Sequence, residues 1–236
     1  MTTAMVIGAN GGIGAALVAA LAASGRYDHV IAAARREPVT LPAGVTYAPI
    51  DIADPASIEA AATAIDAPLT RVIVATGILH DEGGGPERSL RDLDADRLAH
   101  LFAINTIGPA LVLKHFAPLL ARDTPAAIAC ISARVGSISD NRLGGWYGYR
   151  ASKAALNQIV RTAAIELARS RPQAVCVALH PGTVDTGLSK PFQRGVPAGK
   201  LFTPEHSAER LLAVLDALTP VQNGRIFAWD GAEIAP

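Results

Sequence analysis

Short apolar runs alternate along this chain with longer stretches in which alanine and leucine recur at helical spacing. The runs at residues 3–7, 29–34, 45–50, 71–75, 126–132, 174–179 and 225–229 are rich in Val, Ile and Ala. Their length and composition predict buried strands. Between them, residues 15–24, 56–65, 90–105, 108–121, 149–169 and 205–218 carry their apolar positions on one helical stripe. Boundary chemistry agrees. Gly25 stops the first helix, while Asp54-Pro55 and Thr203-Pro204 place a capping side chain and a proline at helix starts. Strand and helix alternating at this rhythm predict an α/β fold, a doubly wound parallel sheet of about seven strands with helices on both faces.

Two segments break the rhythm. Residues 79–89 form a polar, glycine-rich loop. Residues 183–202 show no clear period and contain several Gly and Pro. A loop that long in a compact domain is usually functional, and residues 183–203 are expected to be a lid over a site. With no linker, repeat or low-complexity tract, residues 1–236 are expected to form one domain.

Composition narrows the function classes. Of 236 residues, 50% are hydrophobic and 18% charged, which suits a well-buried protein and argues against disorder. The 21 basic and 21 acidic residues balance, so bulk charge points to neither nucleic acid nor a membrane surface as partner. Cys130 and Cys176 lie in apolar runs and read as buried thiols of a reducing compartment, without a metal-binding pattern. The first residues lack the layout of a signal peptide, and no uninterrupted apolar run is long enough to span a bilayer. The expected location is the cytoplasm.

Candidate chemistry begins at Gly8-Ala9-Asn10-Gly11-Gly12-Ile13-Gly14, between the first strand and the first helix. Glycines remove Cβ atoms that would hold a pyrophosphate away from the backbone, and the helix start offers free N–H groups and a positive dipole end. A tight turn without a ligand is the alternative; four glycines in seven residues favour a nucleotide. The second strand ends Ala34-Arg35-Arg36, with no carboxylate before Glu37. An acid there would hold the ribose 2′-OH of NAD, whereas arginine suits a 2′-phosphate, so NADP(H) is the expected cofactor. Asp51-Ile52 ends the third strand; Asp51 either accepts from an adenine amino group or caps a loop. Ala75-Thr76-Gly77 ends the fourth, where backbone again approaches a cofactor.

Tyr149 and Lys153 stand four residues apart at the start of the 149–169 helix, on one face. An ammonium beside a phenol favours the phenolate and draws its pKa, ordinarily about 10, toward neutral. Such a tyrosine exchanges a proton with an alcohol oxygen. Tyr147 is the rival phenol, but six residues from Lys153 puts it off the shared face. Ser132 ends the fifth strand, on the edge where open parallel sheets bind ligands. Asn105 sits where the 90–105 pattern breaks before Gly108. Taken singly, Ser132 reads as a strand end, Asn105 as a helix cap and Lys153 as a surface cation.

The order of these features, from glycine loop to basic second-strand end, Ser and Tyr/Lys helix, resembles the short-chain dehydrogenase/reductase family over essentially the entire chain. The resemblance implies a single-domain Rossmann-type fold and hydride transfer between NADP(H) and a carbonyl or secondary alcohol. Asn105, Ser132, Tyr149 and Lys153 match the catalytic four. Gly8, Gly12 and Gly14 match the glycine motif, and residues 181–186 match P-G-x-V-x-T. By this resemblance the cofactor contacts are Gly8, Asn10, Gly11, Gly12, Ile13, Gly14, Arg35, Asp51, Ile52, Ala75, Thr76, Gly77, Tyr149, Lys153, Pro181, Gly182, Val184 and Thr186. Ser132 is implied to hold the carbonyl oxygen, Tyr149 to pass the proton, Lys153 to tune Tyr149 and bind the ribose, and Asn105 to anchor a water. Residues 131–138, 140–147 and 224–231 are most similar to the C-factor and Sniffer-type carbonyl reductases. Ile7 before Gly8, and Ala75-Thr76-Gly77 in place of N-N-A-G, depart from the family pattern. The family often pairs through its two long helices, so a homodimer or tetramer is compatible.

A second function class is an NADP-binding sensor or signalling protein with little turnover, which the C-factor likeness keeps open. An intact Ser132, Tyr149 and Lys153 favours the enzyme. A sugar-nucleotide epimerase or dehydratase is disfavoured, because the chain leaves little room for a substrate domain.

Overall fold

The computed structural model describes residues 2–38, 40–80 and 84–236. Residues 81–83 of the expected 79–89 loop lie outside them. The strands, in chain order, are β1 (Thr3–Ile7), β2 (His29–Ala34), β3 (Val45–Pro49), β4 (Leu69–Val74), β5 (Ala126–Ile131), β6 (Ala174–His180), β7 (Thr183–Val184), β8 (Leu201–Phe202) and β9 (Ile226–Ala228). Seven of them form the main sheet, all pairing in parallel in the order β3-β2-β1-β4-β5-β6-β9. The expected fold class is therefore what forms. β1 pairs β2 on one side and β4 on the other, so the connections leave it in opposite directions. The carboxyl ends of β1 and β4 consequently open into a crevice.

Both sheet faces are covered, which is why the central strands are buried along their whole length. α1 (Gly12–Ala23) and α6 (Pro204–Ala217) cover one face, burying Leu17, Leu21, Leu211 and Leu215 against Ala4 and Val6. α2 (Pro55–Thr63), α4 (Gly108–Phe116) and α5 (Tyr147–Ser170) cover the other with Ile58, Phe116, Leu156 and Val160 against Met5 and Ile7. Each such side chain contributes roughly 1.5–3 kcal/mol when fully buried.

Four local expectations change. The 90–105 stretch is not one helix: a 3-10 turn at Leu90–Asp92 precedes α3 (Ala95–Phe102). The helix then does not break before Gly108 but runs on through a π turn, Ala103–Ile107, into α4. Pro109 explains the irregularity, since it has no N–H to return to the carbonyl of Asn105. The 183–202 segment is also more ordered than its sequence suggests. β7 pairs in parallel with β8 at its two ends, and a 3-10 helix at Lys190–Gly195 lies between them. Finally, α5 begins at Tyr147 instead of Tyr149, with Trp146 as its N-cap residue.

Candidate active site

The glycine loop closes tightly on itself. Gly8 has φ +93°, a conformation that suits only glycine, and a Cβ there would sit 2.9 Å from the backbone carbon of Ala75. A Cβ on Gly14 would lie 2.1 Å from the Gly8 carbonyl oxygen, and one on Gly12 would meet Thr186 Cγ2 at 2.7 Å. These are hard steric limits, so the bare backbone between Gly8 and Gly14 is a built feature. Among the described residues no side chain caps α1, whose N-cap residue is Gly11, so its first-turn N–H groups are left for an anion. The cradle therefore fits a dinucleotide pyrophosphate. Asn10 contributes indirectly: its Nδ2 donates to the Arg36 carbonyl at 2.6 Å and fixes the turn carrying Arg35 and Arg36. Both arginines are exposed at the carboxyl end of β2.

Asp51 behaves as a loop cap in this arrangement. Its Oδ1 accepts from the Ala53 N–H at 2.9 Å, and its own N–H donates to Ser57 Oγ at 2.8 Å. Ile52 turns inward against Gly108, where a Cβ would lie 2.4 Å from the isoleucine Cγ1, so glycine alone fits there. Pro181 is held by Ser207, whose Oγ donates to its carbonyl at 2.9 Å. Gly182, at φ +80°, packs against Phe202. Val184 is buried, and Thr186 reaches the glycine loop at Gly12.

Ser132, Tyr149 and Lys153 line one cavity of about 270 Å³, together with Ile13, Ala75, Thr76, Gly77, the Pro181–Val184 stretch and Thr186. All three are buried. Ser132 is fixed by its N–H to the Leu179 carbonyl at 2.7 Å, and its Oγ donates to Asn157 Oδ1 at 2.7 Å. Lys153 reaches across to donate to the Ile131 carbonyl at 2.9 Å. Gly77 makes room for it: a Cβ there would lie 3.3 Å from both Lys153 Nζ and Asn105 Oδ1.

Electrostatics correct the sequence-based expectation for the tyrosine. Burial dominates, and it pushes Tyr149 up to about 12 instead of toward neutral. The Lys153 ammonium sits 5.9 Å from the Tyr149 ring centroid and is engaged with Ile131. Burial also pulls Lys153 down to about 8. At neutral pH the pair is thus a proton-loaded phenol beside an ammonium held near its own midpoint.

Asn105 is fully enclosed, and both protons of its amide and one lone pair of its amide oxygen are engaged within the protein. Oδ1 accepts from the Ile78 N–H at 2.9 Å, while Nδ2 donates to the Ile78 carbonyl at 2.9 Å and to Ser152 Oγ at 3.1 Å. It clamps the end of β4 to α5. Its main-chain carbonyl is a further acceptor at this position, since Pro109 offers it no α-helical donor.

The cavity wall is aromatic toward the 183–202 segment. Trp146 stands 6.3 Å edge-on from Tyr149 and 5.2 Å from Phe192, and Phe192 lies 5.7 Å from His80, ring centroid to ring centroid. His180 lines the same cavity; burial, with Arg134 nearby, pulls it down to about 4, so the imidazole is neutral.

Two residues of the site escape a reading by motif. Glu87, 2% exposed, comes from the glycine-rich loop. Its Oε2 accepts from the Gly148 N–H at 3.1 Å and its backbone carbonyl from the Trp146 N–H at 2.6 Å. It thereby caps the helix that carries Tyr149, a duty Trp146 cannot perform, since Trp146 adopts the left-handed conformation at φ 54° with no side-chain cap. Asn157, behind Ser132, is the other. Its signal was its spacing: residues 149, 153 and 157 share one stripe of α5.

Comparison with known proteins agrees with this geometry. The family described as short chain dehydrogenase matches residues 2–196. The 1-hydroxy-2-glutathionyl-2-methyl-3-butene dehydrogenase of Rhodococcus sp. (strain AD45) is 34% identical over 233 residues, 98% of each chain. C-signal of Myxococcus xanthus is 38% identical over 147 residues, 62% of this chain and 82% of that one. Among solved structures, the NADPH-bound carbonyl reductase from chicken fatty liver superposes with a TM-score of 0.85 at 29% identity, covering 99% of this chain and 98% of that one. The C-factor affinity is thus borne out, the carbonyl reductase Sniffer of D. melanogaster shares the fold with a TM-score of 0.86 at 23% identity, covering 100% of each chain, and the chain belongs to the short-chain dehydrogenase family of oxidoreductases.

Proposed function

We propose that this oxidoreductase uses NADP(H) to interconvert a carbonyl compound and its secondary alcohol. The observation that carries the reading is the convergence of Ser132, Tyr149 and Lys153 on one cavity that adjoins the bare glycine cradle. Gly8 to Gly14 and the α1 N-terminus hold the pyrophosphate, and Arg35 with Arg36 meets the 2′-phosphate. Bound there, the reduced cofactor supplies hydride from its nicotinamide ring. Ser132 hydrogen-bonds the substrate carbonyl oxygen and keeps it near Tyr149. Tyr149, protonated at neutral pH, gives its proton to that oxygen during reduction and takes it back during alcohol oxidation. Lys153 places its charge beside the phenol as the proton leaves and holds the cofactor ribose. The Asn105 carbonyl anchors the water that passes protons to Lys153. The 183–203 segment closes over the site through Phe192, against Trp146.

The substrate class is a partly apolar carbonyl compound or alcohol, given the aromatic and aliphatic wall. The Rhodococcus relative, named as a dehydrogenase of a glutathionyl-bearing alcohol, supports that class. Two copies pair through α5 and α4 with the π turn that precedes it, where Ile165 and Ile107 are about half exposed. The test is NADPH oxidation against a panel of aldehydes, ketones and quinones, with Tyr149→Phe as control. Tyr149→Phe is expected to lose about 10²–10⁴-fold in turnover, the usual worth of a positioned proton donor, with unchanged NADPH affinity. The likeness to C-signal supports a second reading, a cofactor-binding signalling protein. Tight NADPH binding with no turnover across the panel would favour it.

A further inference from the structure

The Ser132 hydroxyl has one proton, and in the arrangement described it is committed to Asn157 Oδ1 at 2.7 Å. A serine so engaged cannot donate to a substrate carbonyl. Asn157 is 8% exposed, and its Nδ2 is buried without a hydrogen-bond partner among the described residues. Gly136 passes so close that a Cβ there would lie 3.1 Å from that nitrogen. An orphaned buried N–H donor is costly and rare, whereas an under-satisfied carbonyl oxygen is better tolerated.

The two ends of a carboxamide have the same shape, so a half-turn about the Cβ–Cγ bond exchanges them in the same space. After that turn Nδ2 donates to Ser132 Oγ, and the oxygen takes the place of the orphaned nitrogen. The serine proton is released toward the cavity. A donated hydrogen bond at Oγ also polarises the O–H and strengthens it as a donor. Asn157 is anchored for this work by α5, on the stripe that carries Tyr149 and Lys153.

We propose that Asn157 is a positioning residue for Ser132: it donates to Ser132 Oγ and turns the hydroxyl proton toward the substrate carbonyl oxygen. The inference rests on the carbonyl-reductase reading above. Asn157 touches neither substrate nor cofactor; it acts through the serine.

Three substitutions test it in the full-length enzyme with NADPH and an active carbonyl substrate. Asn157→Asp keeps the shape but, well above the carboxylate pKa range, can only accept. It pins the serine proton and is expected to lower kcat by about 10²–10³-fold, the scale for deleting one such donor, with NADPH affinity by fluorescence titration unchanged. Asn157→Ala frees the hydroxyl without steering it and is expected to lose less, about tenfold. Neither change should matter in a Ser132→Ala background. Overturning results are Asn157→Asp as active as wild type, Asn157→Asp milder than Asn157→Ala, or equal losses from Asn157→Ala with Ser132 present and absent. Should Asn157→Asp fail to fold, the Ser132/Asn157 alanine cycle read in kcat of the folded enzymes decides, because an asparagine that only stabilises the fold leaves no turnover effect for Ser132→Ala to remove. Full turnover in both Ser132→Ala and Tyr149→Phe would instead refute the underlying carbonyl-reductase reading.

Discussion

A lysine buried to 2% exposure should be a burden on the fold, and replacing it should stabilise the protein while abolishing its activity. Burial lowers Lys153 from 10.5 to about 8. The sign follows from proton counting. Between about pH 8 and 10.5 the unfolded chain holds a proton at Lys153 that the folded chain has released, so this group makes stability rise with pH across that window. Below the folded pKa the cost is fully present. A tenfold change in proton affinity is worth about 1.36 kcal/mol, so the cost is roughly 3 kcal/mol at pH 7 and about 1 kcal/mol at pH 10. Lys153→Met removes the charge and fills the same volume. It also leaves the Ile131 carbonyl without its donor, which costs about 1–2 kcal/mol. The expected net gain at pH 7 is about 1–2 kcal/mol, shrinking or reversing by pH 10. Urea unfolding of both proteins without cofactor, followed by fluorescence of Trp146 and Trp229, measures it. Comparing the two cancels the alkaline titration of Cys176 and Tyr149, which burial raises in both proteins, while Cys130, which burial raises and the Lys153 charge lowers, rises further in the variant. A variant less stable than wild type at pH 7, or a difference equal at pH 7 and pH 10, would refute the reasoning.

Other consequences are equally direct. Gly14→Ala forces a Cβ to within 2.1 Å of the Gly8 carbonyl, so NADPH affinity should fall at least tenfold by titration and the melting temperature should drop. Arg35→Ala should weaken NADPH by about ten- to a hundredfold while leaving NADH nearly unchanged, the scale of one or two charge-assisted hydrogen bonds; equal losses for both cofactors would count against the 2′-phosphate contact. Glu87→Ala uncaps the helix carrying Tyr149 and should cost about 1–2 kcal/mol by denaturant titration, with Glu87→Gln recovering most of it, because an amide oxygen still accepts from Gly148.

What the sequence made legible was whatever depends on neighbours along the chain. The strands of the parallel sheet announce themselves because both faces are buried, and the cradle because four glycines crowd into seven residues. Asp51 could be read two ways, and the loop cap shows only in the folded contacts with Ala53 and Ser57, which engage one carboxylate oxygen. Glu87 drew no reading of its own inside the 79–89 loop, since its partner Gly148 lies 61 residues downstream. Asn105 looked like a helix end because the ladder does change there; the missing N–H of Pro109 shifts it into a π turn without stopping the helix. The Tyr149 pKa failed for a related reason. Spacing brings Lys153 near, but the enclosure that raises the phenol, and the Ile131 carbonyl that diverts the ammonium, come from elsewhere in the fold.

Trp146 shapes how this enzyme can change. A bulky residue held at φ 54° carries a backbone penalty of about 1–2 kcal/mol that glycine would not. Most mutations that enlarge a binding site sacrifice stability, and adaptation stalls when that reserve runs out. At Trp146 the backbone term runs the other way. Exchange to glycine relieves the strained conformation while deleting the ring between Tyr149 and Phe192. This offsets part of the packing lost with the indole. The position is therefore an accessible route to larger substrates, and a natural first site for directed evolution of its scope.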